Sequence, residues 1–576
     1  MKVLLFSMPD VIPQIAKREW EAPNLGLSSI AGNIDRRHQV AIADLVVRQW
    51  SVPSSVRRCL KKYEPEIVGL SAMIFQYFTA RKIARLIKRE RPGTLIALGG
   101  YHATTMHQEL ADGPESEALD FIFHGEADHA FDELLDALEG RRAIESVRGL
   151  SYKQNGVFRH NPSRQLEDVT EIALPDRDRR VYGGYHFYFD KTDVMETSRG
   201  CLLRCNFCSM NQMYGTSFRT YSTERVLADI EAMYQRGVRH ILVVDDNITL
   251  DVPRLAELCD AIAALKRPNL QFIIQASSAG IAKDPSLPRR MVSAGVTQVF
   301  LGIENGSEEN LKQMKKGKIV GVTQTAVKRL IDAGIIVAGG MITGMPDDDA
   351  AAIRRNYEFF VEMGIHNVLD QIITPYPNTE MRQELLSEGL VTNPYDYQWY
   401  NGYWPQVRTR HLSSKELLFE RWKARRDLVG VWRADGEFQR NFPRWSWFWN
   451  NVLRNIIIFN ERRMVWMYGE KGRFKRQMNQ WARLNDYFGD MVIDEDFFDV
   501  DSDGPHGLGN AAAERDFRRS PEDGFRCRAR LLEHARPAVE PPPQDRRSSR
   551  NALARFEIVV TCIQDSSKLS TRKTTE

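Results

Sequence analysis

Between Gly200 and Met210 stands Cys201-Leu202-Leu203-Arg204-Cys205-Asn206-Phe207-Cys208, three cysteines at C-x-x-x-C-x-x-C spacing, directly after the strand-like end Glu196-Thr197-Ser198-Arg199. Three thiolates on one short loop can hold three corners of a [4Fe-4S] cubane, which leaves the fourth iron open to a small chelating ligand. An open iron points to chemistry rather than electron storage. Structural zinc would want a fourth Cys or His close by and paired C-x-x-C knuckles. The remaining cysteines, Cys59, Cys259, Cys527 and Cys562, are scattered. Seven cysteines in 576 residues, with no secretory leader, argue against a disulfide framework and predict a reducing cytoplasm. The same scarcity argues against auxiliary clusters.

The elements around this loop repeat one grammar from about Val194 to Thr374. A helix ends in Gly, a β-branched residue follows, and an apolar strand begins, at Gly237-Val238, Gly295-Val296, Gly334-Ile335 and Gly364-Ile365. Glycine accepts the left-handed conformation that closes a helix, and a crossover returns the chain to a parallel sheet. The expected strands are Val194 to Ser198, His240 to Asp245, Phe272 to Ala276, Val299 to Glu304, Ile335 to Thr343 and Val368 to Thr374, a partial (βα)6 barrel. Barrels of this kind build active sites at the carboxyl ends of their strands. Those ends carry Asp245-Asp246-Asn247, then Gln275 and Ser277, then Glu304, each of which could instead cap the following helix.

The first 145 residues alternate short β-branched runs with helical patterns, as a doubly wound α/β sheet does. The expected strands are Val3 to Ser7, Val40 to Asp44, Ile67 to Ser71, Leu95 to Leu98 and Phe121 to Phe123. Ligands of such folds sit beyond the carboxyl ends, here Ser71-Ala72-Met73, Gly99-Gly100-Tyr101-His102 and His124-Gly125-Glu126-Ala127-Asp128. Paired glycines there let the backbone approach a bulky ligand.

The cysteine phrase resembles the signature of the radical S-adenosylmethionine (SAM) superfamily. The resemblance implies that the open iron chelates SAM and that one electron cleaves it to a 5′-deoxyadenosyl radical. It places Phe207 against adenine, and Asp245, Asp246, Asn247, Gln275, Ser277 and Glu304 around SAM. Ser71, standing 28 residues before Gly99-Gly100, resembles the slot for the nucleotide tail in a cobalamin-binding domain, with His102 as a pocket or helix-start residue. Met73 departs from the Ser-x-Leu of that family. The loop Met8-Pro9-Asp10-Val11-Ile12-Pro13 lacks the Asp-x-His-x-x-Gly that supplies an axial histidine to cobalt. Thr343-Gly344-Met345-Pro346 and Thr374-Pro375-Tyr376-Pro377-Asn378-Thr379 resemble segments of cobalamin-dependent radical SAM proteins, so the match runs to about residue 395. It implies a methyltransferase acting on an unactivated carbon, with a cyclase of the anaerobic Mg-protoporphyrin monomethyl ester type as the alternative. Flavodoxin or ferredoxin would supply electrons.

The expected organisation is therefore a cobalamin-binding Rossmann-like domain over 1–145, a linker over 146–186, the radical SAM partial barrel over 187–395, a helical Trp/Arg-rich region over 396–495 and a disordered tail over 500–576. The region Trp399 to Trp481 holds nine of the 11 tryptophans, and a second helix is expected near Pro443 to Tyr468. Its aromatics either pack on the barrel or meet a membrane interface or large apolar substrate. Net charge of +3 carries no nucleic-acid footprint.

Overall fold

Strands covered by helices on both faces bury both sides, which is why the apolar runs of this chain assemble into parallel sheets. Strands β1 (Lys2–Ser7), β2 (Gln39–Asp44), β3 (Ile67–Ser71), β4 (Leu95–Gly99) and β5 (Phe121–Phe123) pair in parallel, in the order β2-β1-β3-β4-β5. Alternate residues feed two separate cores, Leu4 and Phe6 on one face, Val3 and Leu5 on the other. Strand order reverses between β1 and β3, so the ligand crevice of this doubly wound order opens at Ser71 and the loop after β1. These are residues of a computed structural model that describes 1–13, 20–187, 190–429, 452, 454–493 and 498–501, all within the compact unit Met1–Glu514.

An antiparallel hairpin, β6 (Leu150–Gln154) and β7 (Val157–His160), continues the sheet beyond β5. It falls in the segment expected as a linker. A three-residue β5 leaves an edge that needs cover, and the buried Leu150, Ser151 and Tyr152 provide it.

The second sheet runs β8 (Asp190–Met195), β9 (His240–Val243), β10 (Gln271–Ser277), β11 (Val296–Glu304), β12 (Ile336–Thr343) and β13 (Asn367–Ile372), parallel and in chain order. The four expected helix-closing glycines have positive φ, 80° at Gly237, 91° at Gly295, 80° at Gly334 and 77° at Gly364. All eight residues of β12 are buried. Strand β8 stops at Met195, short of the expected Ser198. Ser198–Arg199 pairs instead, antiparallel, with Arg219–Thr220, and that ribbon forms the base of the cysteine loop.

Ser413 and Glu416 form the expected capping box on helix Ser414–Ala424. Trp399, Trp404 and Trp422 are buried against the barrel core with Phe419 and Phe474, so packing explains these tryptophans. Trp432, Trp445, Trp447 and Trp449 lie outside the described residues, as do the first part of the second expected helix and the tail beyond residue 501. What is described of that helix is Arg454–Ala482, bent at Gly469. Further on, Asn485 exchanges two 3.0 Å hydrogen bonds with the backbone of Val11, and the Tyr487 hydroxyl donates to the Pro9 carbonyl at 2.9 Å. The end of the helical region thereby clamps the loop after β1.

Candidate active site

The cysteine loop leaves the ribbon through Gly200, whose φ is 91° and where a Cβ would lie 2.4 Å from the Ser217 carbonyl oxygen. Only glycine makes this turn. The Gly200 N–H donates to Asp246 at 2.9 Å, and the Cys208 N–H closes the loop on the Cys205 carbonyl at 3.2 Å. Cys201, Cys205 and Cys208 are free and half-buried. Burial, and then the neighbouring thiols, push Cys208 up to about 12; burial also raises Cys201 and Cys205. Three such thiols cannot ionise on their own account, but bound iron would draw off their protons. Among the described residues no three His, Cys, Asp or Glu converge to hold a single metal ion. Cys201, Cys205 and Cys208 act on one another electrostatically on one short loop, as three ligands of one cubane would.

The strand-end residues differ in the local hydrogen bonds that they already make. Asp245 accepts from the Thr197 N–H and hydroxyl at 2.6 Å each and from the Ser198 hydroxyl at 2.5 Å. It braces the approach to the cysteines. Asn247 and Ser277 cap the turns that follow them, Asn247 receiving the Thr249 N–H and Ser277 the Gly280 N–H; the buried Asn247 also lies beside Cys201. Asp246, by contrast, is only partly buried, and burial pushes its carboxyl up to about 6. Gln275 is half-buried on the face of β10 opposite Ile274 and Ala276, which pack into the helix-covered core. Phe207 packs half-buried against the barrel core.

Glu304 has φ of 68°, in the left-handed region that a long side chain rarely adopts, at a register shift in β11. Such strain persists where surrounding contacts over-determine it. The contact here is Lys316, whose ammonium donates to Glu304 at 2.8 Å and to the Gly302 carbonyl at 3.2 Å. Lys316 also acts electrostatically on all three cysteines. Nothing local marks it, because a lysine in Lys312-Gln313-Met314-Lys315-Lys316-Gly317-Lys318 looks like part of a solvated surface loop. A cation beside a cluster favours the reduced form. Lys316→Met is expected to lower the cluster midpoint potential by about 50–100 mV, the equivalent of about 1–2 kcal/mol from one nearby charge. Redox titration followed by EPR measures this, and an unchanged potential would exclude the lysine from the cluster's field.

The N-terminal sheet brings its own edge to this loop. Gly100 has φ of 92°, and a Cβ there would lie 2.8 Å from the Ala72 carbonyl oxygen and 3.2 Å from the Ser71 hydroxyl. Gly99 meets nothing closer than 3.8 Å, so its face is open to a ligand. Ser71 is half-buried beside them. His102 is buried, its ring 4.5 Å from Tyr77 and 5.6 Å from Tyr397, and burial lowers it to about 3, so it is neutral. Tyr77 Oη and His102 Nδ1 are buried polar atoms without hydrogen-bond partners at this edge, polar groups that fit a large ligand such as cobalamin. Helix Tyr101–Asp112 packs on helix Met210–Tyr214, which follows the cysteines, and Asn378 donates to the Thr105 carbonyl at 2.8 Å. Tyr101 thereby lies beside Ser209, Cys208 and Tyr376. Neither tyrosine carries a local signal of its place.

The family model described as the radical SAM superfamily matches residues 195–360, and the B12 binding domain model matches residues 13–135. An uncharacterized methyltransferase of Pyrococcus horikoshii is 29% identical over 398 residues, which cover 69% of this chain and 85% of that protein. The hopanoid C-3 methylase of Methylococcus capsulatus is 26% identical over 466 residues, 77% of this chain and 86% of that protein. Among solved structures, the cobalamin-dependent SAM radical enzyme OxsB with aqua-cobalamin bound shares the fold, with a TM-score of 0.59 and 18% identity over 84% of this chain and 79% of that one. With three free thiols on the loop after β8 and an open glycine edge facing them, the chain is a radical SAM enzyme carrying a B12-binding domain, and its cofactors are a [4Fe-4S] cluster, SAM and cobalamin.

Proposed function

We propose that this protein is a cobalamin-dependent radical SAM methyltransferase that methylates an unactivated carbon of a hydrophobic or natural-product substrate. The observation that carries the reading is the meeting of the two loops, Tyr101 next to the paired glycines and Cys208 in the cysteine loop. When bound, the cluster would supply the electron that cleaves SAM, and cobalamin the methyl group. The chain's own residues would hold these parts in line and dry, since a carbon radical reacts with almost any neighbour. Cys201, Cys205 and Cys208 would anchor the cluster, with Phe207 under adenine. Asp246, Gln275 and the Glu304–Lys316 pair offer polar contacts to SAM. Ser71, Gly99, Gly100 and Tyr101 would line the cobalamin slot. Tyr376 and Tyr400, with ring centroids 6.5 Å apart, and Tyr397, 5.0 Å from Tyr400, would exclude water between them.

The relatives' names support methyl transfer, and the one named for a hopanoid supports a hydrophobic substrate. Exposed Leu202, Leu203 and Arg204 beside the cluster ligands offer an entry face for a flavodoxin or ferredoxin. Among the described residues no helix is long and apolar enough to cross a membrane. Phe459 (69% exposed) and Trp466 (84%), with exposed Arg462 and Arg463, suit a peripheral contact with an anionic bilayer. Flotation with anionic liposomes is expected for the native chain and reduced in Phe459→Ala/Trp466→Ala; no flotation of either form would remove the membrane from the reading.

The function is tested by anaerobic reconstitution with iron, sulfide and hydroxocobalamin, then desalting. One cobalamin per chain together with reductive release of 5′-deoxyadenosine supports it. Cleavage of SAM without retained cobalamin would sink the methyltransferase. A product cyclised or rearranged without a new methyl group would favour the cyclase alternative.

A further inference from the structure

The loop after β5 carries a motif that neither cofactor site absorbs, Gly125-Glu126-Ala127-Asp128. Its two carboxylates are buried, and both face arginines of the ribbon that supports the cysteine loop. Arg199 donates to Glu126 at 3.0 Å, to Asp128 at 2.8 and 3.2 Å and to Glu196 at 2.8 and 3.0 Å. Arg219, its cross-strand neighbour, donates twice to Glu126, at 2.8 and 2.9 Å. Two arginines directly opposite one another repel, so the ribbon closes only with a carboxylate between them. The Glu167 N–H fills the remaining acceptor site on Glu126 at 2.7 Å, Ser29 donates to Asp128, and the Tyr221 hydroxyl donates to Glu196 at 2.7 Å.

The two ends of this network lead to the two cofactor sites. On one side, the Gly125 N–H donates to the Thr104 hydroxyl at 3.1 Å, on the helix that begins at Gly100. On the other, Arg199 is followed by Gly200 and Cys201. We propose that Glu126 and Asp128, gripped by Arg199 and Arg219, are positioning residues that fix the separation between the cobalamin edge and the cluster loop. Planar guanidinium forks hold direction as well as distance, so lysine would not replace Arg199. The inference rests on the two-cofactor reading of the site.

The test uses full-length chain reconstituted with both cofactors and frozen as cob(II)alamin with the one-electron-reduced cluster. Pulsed EPR reads the magnetic interaction between the two centres, and cobalamin and iron content are measured on the same samples. The native chain is expected to give one narrow interaction. Glu126→Gln and Arg199→Lys are expected to keep both cofactors at native stoichiometry while the interaction shifts or broadens, and Glu126→Asp, which keeps the charge, lies between. Native-like interaction in all three variants would overturn the positioning role. If Glu126→Gln does not fold, Asp128→Asn, which leaves the Glu126 contacts in place, carries the same reading. A native chain that lacks either EPR signal would instead sink the two-cofactor reading.

Discussion

Cys208→Ala protein, reconstituted anaerobically with iron and sulfide, is expected to lose its [4Fe-4S] absorption and to release 5′-deoxyadenosine at less than about a hundredth of the native rate, since loss of a direct ligand exceeds the 10–100-fold typical of outer contacts. Cys208 is a sensitive choice because burial, and then Cys205 and Cys201, push its thiol up to about 12. Without iron it is a protonated, desolvated group beside Tyr101 and Tyr376. Cys259, also buried and also raised to about 12, lies in the helix-covered core, and Cys59 shares a hydrogen bond with the Tyr182 hydroxyl at 3.2 Å. Cys59→Ala and Cys259→Ala should therefore leave cluster content unchanged. Equal iron in Cys208→Ala and native protein would refute the three-thiol site.

Asp370→Ala is expected to be the most destabilising single change away from the cluster. Its carboxylate is fully buried on β13 and accepts from Arg421 at 2.7 Å, from the Tyr357 hydroxyl at 2.5 Å and from Arg425. Arg421 is itself buried and also donates to the backbone carbonyls of Tyr403 and Asp370. Removing one partner of a buried pair strands the other charge, at a cost of about 3–5 kcal/mol. For a protein of this size that corresponds to a fall in melting temperature of roughly 2–5 °C. Burial alone would raise the Asp370 carboxyl, but Arg421 and then Arg425 hold it below its usual value. The folded state thus binds this proton less readily than the unfolded one. Its stabilisation is complete above the unfolded carboxylate range near pH 4, and is lost as pH falls through the lower folded value. Thermal melts from pH 7 to pH 3 should show the native chain losing stability faster than Asp370→Ala; parallel curves would mean that the pair is not linked to acid stability.

Patterns carried by neighbouring residues were legible before any coordinates. The three-cysteine loop depends on spacing along eight residues. The six barrel strands and the glycines that close the preceding helices depend on period and on backbone conformation, both local properties. The capping box at Ser413 and Glu416 is local as well. Side chains at strand ends were harder, because the same residue type serves a cap or a ligand. Asp245, Asn247 and Ser277, expected at SAM, also accept hydrogen bonds from Thr197, Thr249 and Gly280, so each serves local structure as well.

Sequence by itself determined which chemistry the chain can support: thiols at cubane spacing, glycines at the end of a doubly wound strand, and a parallel barrel to carry them. Tertiary structure decided which groups surround that chemistry. Lys316 reaches the cysteines from a loop more than 100 positions away, and Glu126 reaches Arg199 from 73 positions away. Tyr101 and Cys208 come together because helix Tyr101–Asp112 packs on helix Met210–Tyr214. Charge and burial act through space, so a residue's partner, and with it its role, is fixed by the packing of elements and is not written in its neighbours.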